Sequence, residues 1–147
     1  MRDRVLRLVF GGAQLDRISG DAGLALLRAF AGASLALAHG LGKMPPGEGF
    51  VRGVDALGFP APALFAWAAA LSELLGGLLV AIGLCTRPAA ALAGFTMLVA
   101  ALGQHANDPY ARKELALLYL SVMLCFFLVG SGRFGLDALV RRRLAAS

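Results

Sequence analysis

Residues 66–84, AWAAALSELLGGLLVAIGL, carry no charge except one acid, Glu73, at the middle of the run. As a helix this stretch reaches about 28 Å, close to the ~30 Å of a bilayer's hydrocarbon core. An ionisable group at that depth costs at least a few kcal/mol and is usually paired and functional, which makes Glu73 the first candidate site residue. Ala66, Ala70, Glu73 and Gly77 step by four, three and four, so they share one helix face, with Gly76 beside them. Side chains this small let a neighbouring helix come close, and the acid then points at protein rather than lipid. The alternative is a protonated glutamic acid hydrogen-bonded between helices, with no chemistry.

The rest of the chain agrees with a membrane setting. Of 147 residues, 59% are hydrophobic and only 16% charged, and the mean hydropathy is +0.74, far from the averages of soluble domains. The formal net charge of +5 does not indicate nucleic acid. The basic residues lie mostly outside the apolar segments, where they act as topology signals and headgroup anchors. Cys85 and Cys125 have neither metal-type spacing nor a secreted framework around them, and read as small buried hydrophobes.

Residues 1–20 are too charged to span, but alternate Arg2, Arg4 and Arg7 with apolar residues, as a short interfacial helix does. They do not read as a signal peptide, because the first long apolar run begins after residue 20. That run, 21–42, is the first expected span, with Asp21 at its start as an N-cap or first-turn acid. Within it Arg28 and His39 lie eleven residues apart on one face, roughly 16 Å along the axis, and Lys43 continues the stripe. A polar stripe on an apolar helix faces the bundle interior; for Arg28 the alternative is snorkelling to the near interface. The loop 44–61 holds three of the six prolines. In it Phe50, Val51, Val54 and Leu57 share a helical face, which predicts a short interfacial helix or re-entrant cap.

Pro62 suits the first turn of a second span, 62–84. A very short turn at Thr86-Arg87 leads to a third, 88–106, so these two are antiparallel neighbours. Gln104, His105 and Asp108 lie at its far end. A fourth span covers about 113–131, with an apolar centre from 115 to 130. The last residues are basic and amphipathic, another surface segment. The expected fold class is all-α: a single domain over 1–147, a four-transmembrane-helix bundle with short amphipathic interfacial segments at both termini and in the first outer loop. Nine basic residues (Arg2, Arg4, Arg7, Arg17, Arg87, Arg133, Arg141, Arg142, Arg143) then share a side with the termini, against four (Lys43, Arg52, Arg112, Lys113) on the other. Both termini are therefore expected in the cytoplasm.

Depth arithmetic puts Arg28 on the order of 7 Å from Glu73 along the membrane normal, and an arginine spans most of that gap, so an Arg28–Glu73 pair is geometrically allowed, with His39 the next candidate partner for the acid. His39, His105 and Asp108 gather near the outer face. Two histidines without a spacing signature indicate interfacial hydrogen bonding more than a metal site. The candidate ligand or proton site is Glu73, Arg28, His39, Lys43 and His105; no catalytic residue, metal site or cofactor motif is evident.

Leu27-Arg28, His39-Gly40-Leu41-Gly42-Lys43, the stretch GFPAPALFAWAAALSELLGGLLVAIGLCTRPAA over 58–90, and Gly132-Arg133-Phe134-Gly135-Leu136-Asp137 resemble the DoxX family of small four-helix membrane proteins. The resemblance spans nearly the whole chain. It implies a multi-pass bundle in the bacterial inner (plasma) membrane and a role in an oxidoreductase system, since relatives form the membrane subunit of a thiosulfate to quinone oxidoreductase and others are linked to thiol redox complexes. By position, Arg28, His39, Lys43, Glu73 and Arg87 are the polar residues of the family pattern, and neither cysteine belongs to it. Two functions follow. One is a membrane subunit or anchor of a quinone- or thiol-linked oxidoreductase, with a quinone as the implied cofactor and a redox subunit as partner. The other is a non-catalytic bundle that binds a lipid-like ligand or assists assembly or export of a partner. The bilayer, and as a further option a second copy of the chain, complete the expected partners; nucleic acid is not among them.

Overall fold

The computed structural model describes residues 18–146, all α-helical in their regular parts. The interfacial helix expected over 1–20 falls outside the described residues for all but its last three. Six helices follow in order: α1 (Ile18–Lys43), α2 (Glu48–Ala56), α3 (Pro62–Ile82), α4 (Thr86–Gln104), α5 (Tyr110–Val129) and α6 (Leu136–Ala146). Among them α1, α3 and α4 are long and apolar enough to cross a membrane, by length and composition. α5 opens with Arg112, Lys113 and Glu114, so the four-span arrangement does not follow from length and composition alone.

α1 packs on α3, α3 on α4 and α4 on α5, and α5 touches α1 again, which closes the bundle. Small residues make this closeness available. A Cβ on Gly32 would lie 2.6 Å from the Gly77 carbonyl oxygen and the Ala81 nitrogen, and one on Gly40 would overlap the backbone of Leu74. The interior is filled largely by alanines on α1, α3 and α4 around Leu35, Val80, Met97, Met123 and Phe126. The large apolar side chains point the other way. Leu26, Phe30 and Leu128 are 75%, 73% and 70% exposed, a belt of apolar surface that a water-soluble monomer rarely shows and a bilayer solvates.

Three of the long helices contain a π-helical turn: Leu35–Gly40 in α1, Ser72–Gly76 in α3 and Ala100–Gln104 in α4. Such turns insert an extra residue, redirect side chains, and gather at functional sites. The first two pack against each other, and the second carries Glu73. α3 ends at Gly83, whose φ of +74° closes the helix in the left-handed region. Cys85, at φ +46°, is left-handed too. The chain thereby turns directly into α4, as the short connection required, and Thr86-Arg87 form its first turn rather than a loop. α2 is the short helix expected in the first loop, with Val54 buried.

Candidate functional site

Glu73 is completely buried. Its π-helical turn faces the one on α1, and Gly40 lets the α1 backbone lie against that of Glu73 and Leu74. Three residues past Gly40, Lys43 reaches back, and its ammonium donates to Glu73 Oε1 at 2.5 Å. The Arg28–Glu73 pair that depth allowed does not form; Lys43 takes that place. Lys43 is about one-third exposed (32%) against 0% for the acid, so the pair runs from the outer end of α1 into the interior. The ammonium also sits 5.4 Å from the centroid of the Phe50 ring on α2. Glu73 Oε2 has no hydrogen-bond partner among the described residues.

Beside this pair lies a pocket of about 510 Å³. α2 and the loop after it form one wall with Phe50, Val54, Leu57 and Phe59; α3 and α4 form the others with Phe65, Leu92, Phe95 and Val99. The polar groups in it are few: Lys43, Glu73, Ser72, Thr96, Gln104 and His105. The Ser72 and Thr96 hydroxyls are 2.5 Å apart, so one donates to the other, and the second is left to donate to a carbonyl of its own helix, Ala69 for Ser72 or Leu92 for Thr96. An apolar cavity with a few convergent polar groups is the usual form of a small-molecule site.

The remaining nominated residues scatter around this centre. His105 stands at the pocket edge, its Nδ1 2.8 Å from Asp108 Oδ2, with Arg112 3.6 Å from the other oxygen. The His105 hydrogen bond, with Arg112 and Lys113 nearby, holds the Asp108 carboxyl below its ordinary range. His39 does not reach the pocket; its ring meets Tyr119 of α5 edge-on, centroids 5.5 Å apart. No group of three or more His, Cys, Asp or Glu side chains among the described residues could hold a metal ion.

Arg28 belongs to a second polar cluster, at the opposite end of the bundle. It is buried, and its Nη1 donates to the carbonyls of Val80 and Ala81 at 2.7 Å each, in the last turn of α3, where the Val80 carbonyl also accepts the Gly83 N–H. Asp137 of α6 is fully buried there. Its Oδ1 accepts the Cys85 N–H at 2.7 Å and its Oδ2 the Thr86 N–H at 3.0 Å. It thus caps the first turn of α4 from another segment, while its own N–H donates to the Gly83 carbonyl. Asp21, also buried, meets Arg133 Nε at 3.2 Å, and Arg87 donates to the Leu128 carbonyl. Sequence reasoning treated Asp137 as a surface acid and Asp21 as a local cap. The available signal was the pairing of two glycine-flanked motifs, Thr86-Arg87 after Gly83 and Gly132 to Asp137, which the fold joins. Burial, then the Asp137 carboxylate, push the Cys85 thiol above its ordinary value, which disfavours the thiolate that redox exchange needs. Both cysteines are free.

Comparison with known proteins agrees with the motifs. The chain is 32% identical over 121 residues to a protein of Bacillus subtilis (strain 168) named "Putative oxidoreductase CatD", an alignment covering 82% of this chain and 88% of the relative. No solved structure matches. A match to the DoxX family covers residues 23–106, the segment that holds Arg28, Lys43, Glu73, all of α3 and α4, and α1 from its second turn on: the chain is a membrane protein of the DoxX family.

Proposed function

We propose that the pocket beside Lys43 and Glu73 binds a ring-headed, apolar-tailed quinone, and that the protein is the membrane subunit of an oxidoreductase whose electrons come from a partner redox subunit. The carrying observation is a buried carboxylate with one oxygen on an ammonium and the other without a partner among the described residues, beside a largely apolar pocket of about 510 Å³. Reducing a quinone takes two electrons and two protons. The partner supplies the electrons, and the Lys43–Glu73 pair, open at its Lys43 end, relays protons to the ring oxygens. The oxidoreductase assignment rests on the family resemblance and the printed name of the Bacillus relative. The raised thiol of Cys85 favours the quinone branch over a thiol-linked one. In this reading α5 is the fourth span of a bundle in the bacterial inner membrane with both termini cytoplasmic. A C-terminal reporter that scores periplasmic would overturn that topology.

The apolar lining also accommodates the second reading, a non-catalytic bundle holding a lipid-like molecule. Lipid extraction from the purified protein followed by mass spectrometry separates the two. A quinone present in the wild type and lost in Glu73→Leu supports the first; a phospholipid or other acyl lipid retained in both supports the second.

A further inference from the structure

The pairing at Glu73 has a directional consequence for what can sit beside it. Oε1 is engaged by Lys43, and Oε2, in a side chain with no exposed surface, has no partner among the described residues. A salt-bridged carboxylate has only lone pairs to offer, whereas the Lys43 ammonium, with three N–H groups, has donors to spare. A ligand oxygen at the Lys43 corner of the pocket, reached by a small turn of the buried carboxylate, therefore meets a donor on one side and an acceptor on the other. A hydroxyl satisfies both at once. A carbonyl or ether oxygen satisfies only the ammonium, and turns its own lone pairs toward Oε2. Ser72 and Thr96 do not reverse this balance, because their two O–H donors are used, one between the hydroxyls and the other on a carbonyl, and only acceptor lone pairs are left for a ligand.

We infer that the pocket selects a hydroxyl headgroup on an apolar body over the corresponding carbonyl or ether, and hence, on the quinone reading above, binds the quinol more tightly than the quinone. A hydrogen bond to a charged, buried acceptor sets the scale of the preference at roughly 10- to 100-fold. Tighter binding of the reduced form makes the bound quinone a better electron acceptor. Each tenfold preference raises the two-electron potential by about 30 mV at constant pH. The site thus draws electrons from the partner, and the product is held by Glu73 until it is exchanged.

The test uses the full chain in lipid nanodiscs, with empty discs to correct for partitioning, and two pairs of probes measured by calorimetry. Decylubiquinol, kept reduced under argon, is compared with decylubiquinone, and the redox-inert 4-octylphenol with its methyl ether 4-octylanisole. Hydroxyl forms binding at least tenfold more tightly in both pairs is the expected result. In Glu73→Gln the amide oxygen stays on Lys43 and the amide NH₂ takes the place of Oε2, so the preference is lost or reversed while the shape of the site is kept. If the octylphenol pair shows the preference and neither quinone form binds, the hydroxyl selection stands and the quinone reading falls. If both quinone forms bind equally, the quinone reading stands and the selection is overturned. A preference that persists unchanged in Glu73→Gln also overturns it, as does the absence of binding by all four probes.

Discussion

Toward each of its two ends the bundle buries an acid, Asp137 at the α3–α4 junction and Glu73 in the π-helical turn inside α3, and the two are used differently. At one end, both oxygens of Asp137 are used, on the Cys85 and Thr86 N–H groups, and the neighbouring Arg28 covers the last carbonyls of α3. That arrangement ties α1, α3, α4 and α6 together and leaves the acid no capacity for a ligand. At the other end, Glu73 uses one oxygen and keeps one in reserve next to a 510 Å³ pocket. A buried acceptor without a partner lowers stability, and a ligand donor in the adjacent pocket would offset that cost. Neither burial nor open hydrogen-bonding capacity marks function by itself, since Arg28 Nε, Thr86 Oγ1 and Arg87 Nε at the Asp137 end also lack partners among the described residues; the pocket beside Glu73 sets it apart.

The sharpest way to break this contrast is at Asp137. Asp137→Leu leaves two buried N–H groups at the head of α4 without acceptors, and is expected to lower stability by about 3 kcal/mol, read as unfolding in detergent. Below the transition, probe binding in the pocket should be unchanged. An Asp137→Leu protein that is as stable as wild type would mean the capping contacts are not what holds this end. Next is Arg28→Leu, expected to cost about 2 kcal/mol through the lost bonds to Val80 and Ala81. Because Arg28 and Glu73 lie in separate clusters, the double variant Arg28→Leu/Glu73→Leu should be additive within about 0.5 kcal/mol. Strong non-additivity would merge the two clusters into one.

Smaller effects sharpen the pocket end. Glu73→Leu should change stability by no more than about 1 kcal/mol, since Lys43 is partly exposed and can turn to water, while removing binding altogether. Lys43→Met strands the buried carboxylate and should cost more than Glu73→Leu; the double variant should recover most of that loss. Equal and additive costs would show that the contact contributes nothing. The smallest effect belongs to the pocket edge. The carboxyl of Asp108 is held low in the folded state, chiefly by its hydrogen bond to His105. Its contribution is thus fully present above the ordinary Asp value of about 3.9 and is lost only as pH falls through the lowered folded one. His105→Ala should move the Asp108 titration, followed by carboxyl-carbon NMR, back up toward the ordinary value.

Much of this was legible from residue order. Runs of apolar residues with short polar breaks gave the helices and their sequence of packing, Pro62 the start of α3, and the Phe50–Val54–Leu57 face the helix that walls the pocket. Glu73 and Lys43 were both nominated, but not as partners. The depth arithmetic assumed a regular α-helix, under which Arg28 falls within reach of the acid. The helices meet in another register: Gly32 lies against Gly77 and Ala81 and Gly40 against Leu74, so Arg28 falls at the last turn of α3 and the nearer cation is Lys43. Asp137 was missed for a different reason. Capping rules look a few residues along the chain, whereas this acid caps a helix that begins 51 residues earlier.

The sequence by itself determined what depends on local composition: an all-α chain, helices apolar enough for a bilayer, small residues where helices meet, and one acid too costly to be idle. Only the tertiary structure decided which cation meets that acid, which of its oxygens is left over, and that a pocket opens beside it. Those outcomes depend on helix register and on single-residue departures from α geometry. A slide of one helix along another exchanges one hydrogen-bond partner for another while leaving the hydrophobic pattern unchanged.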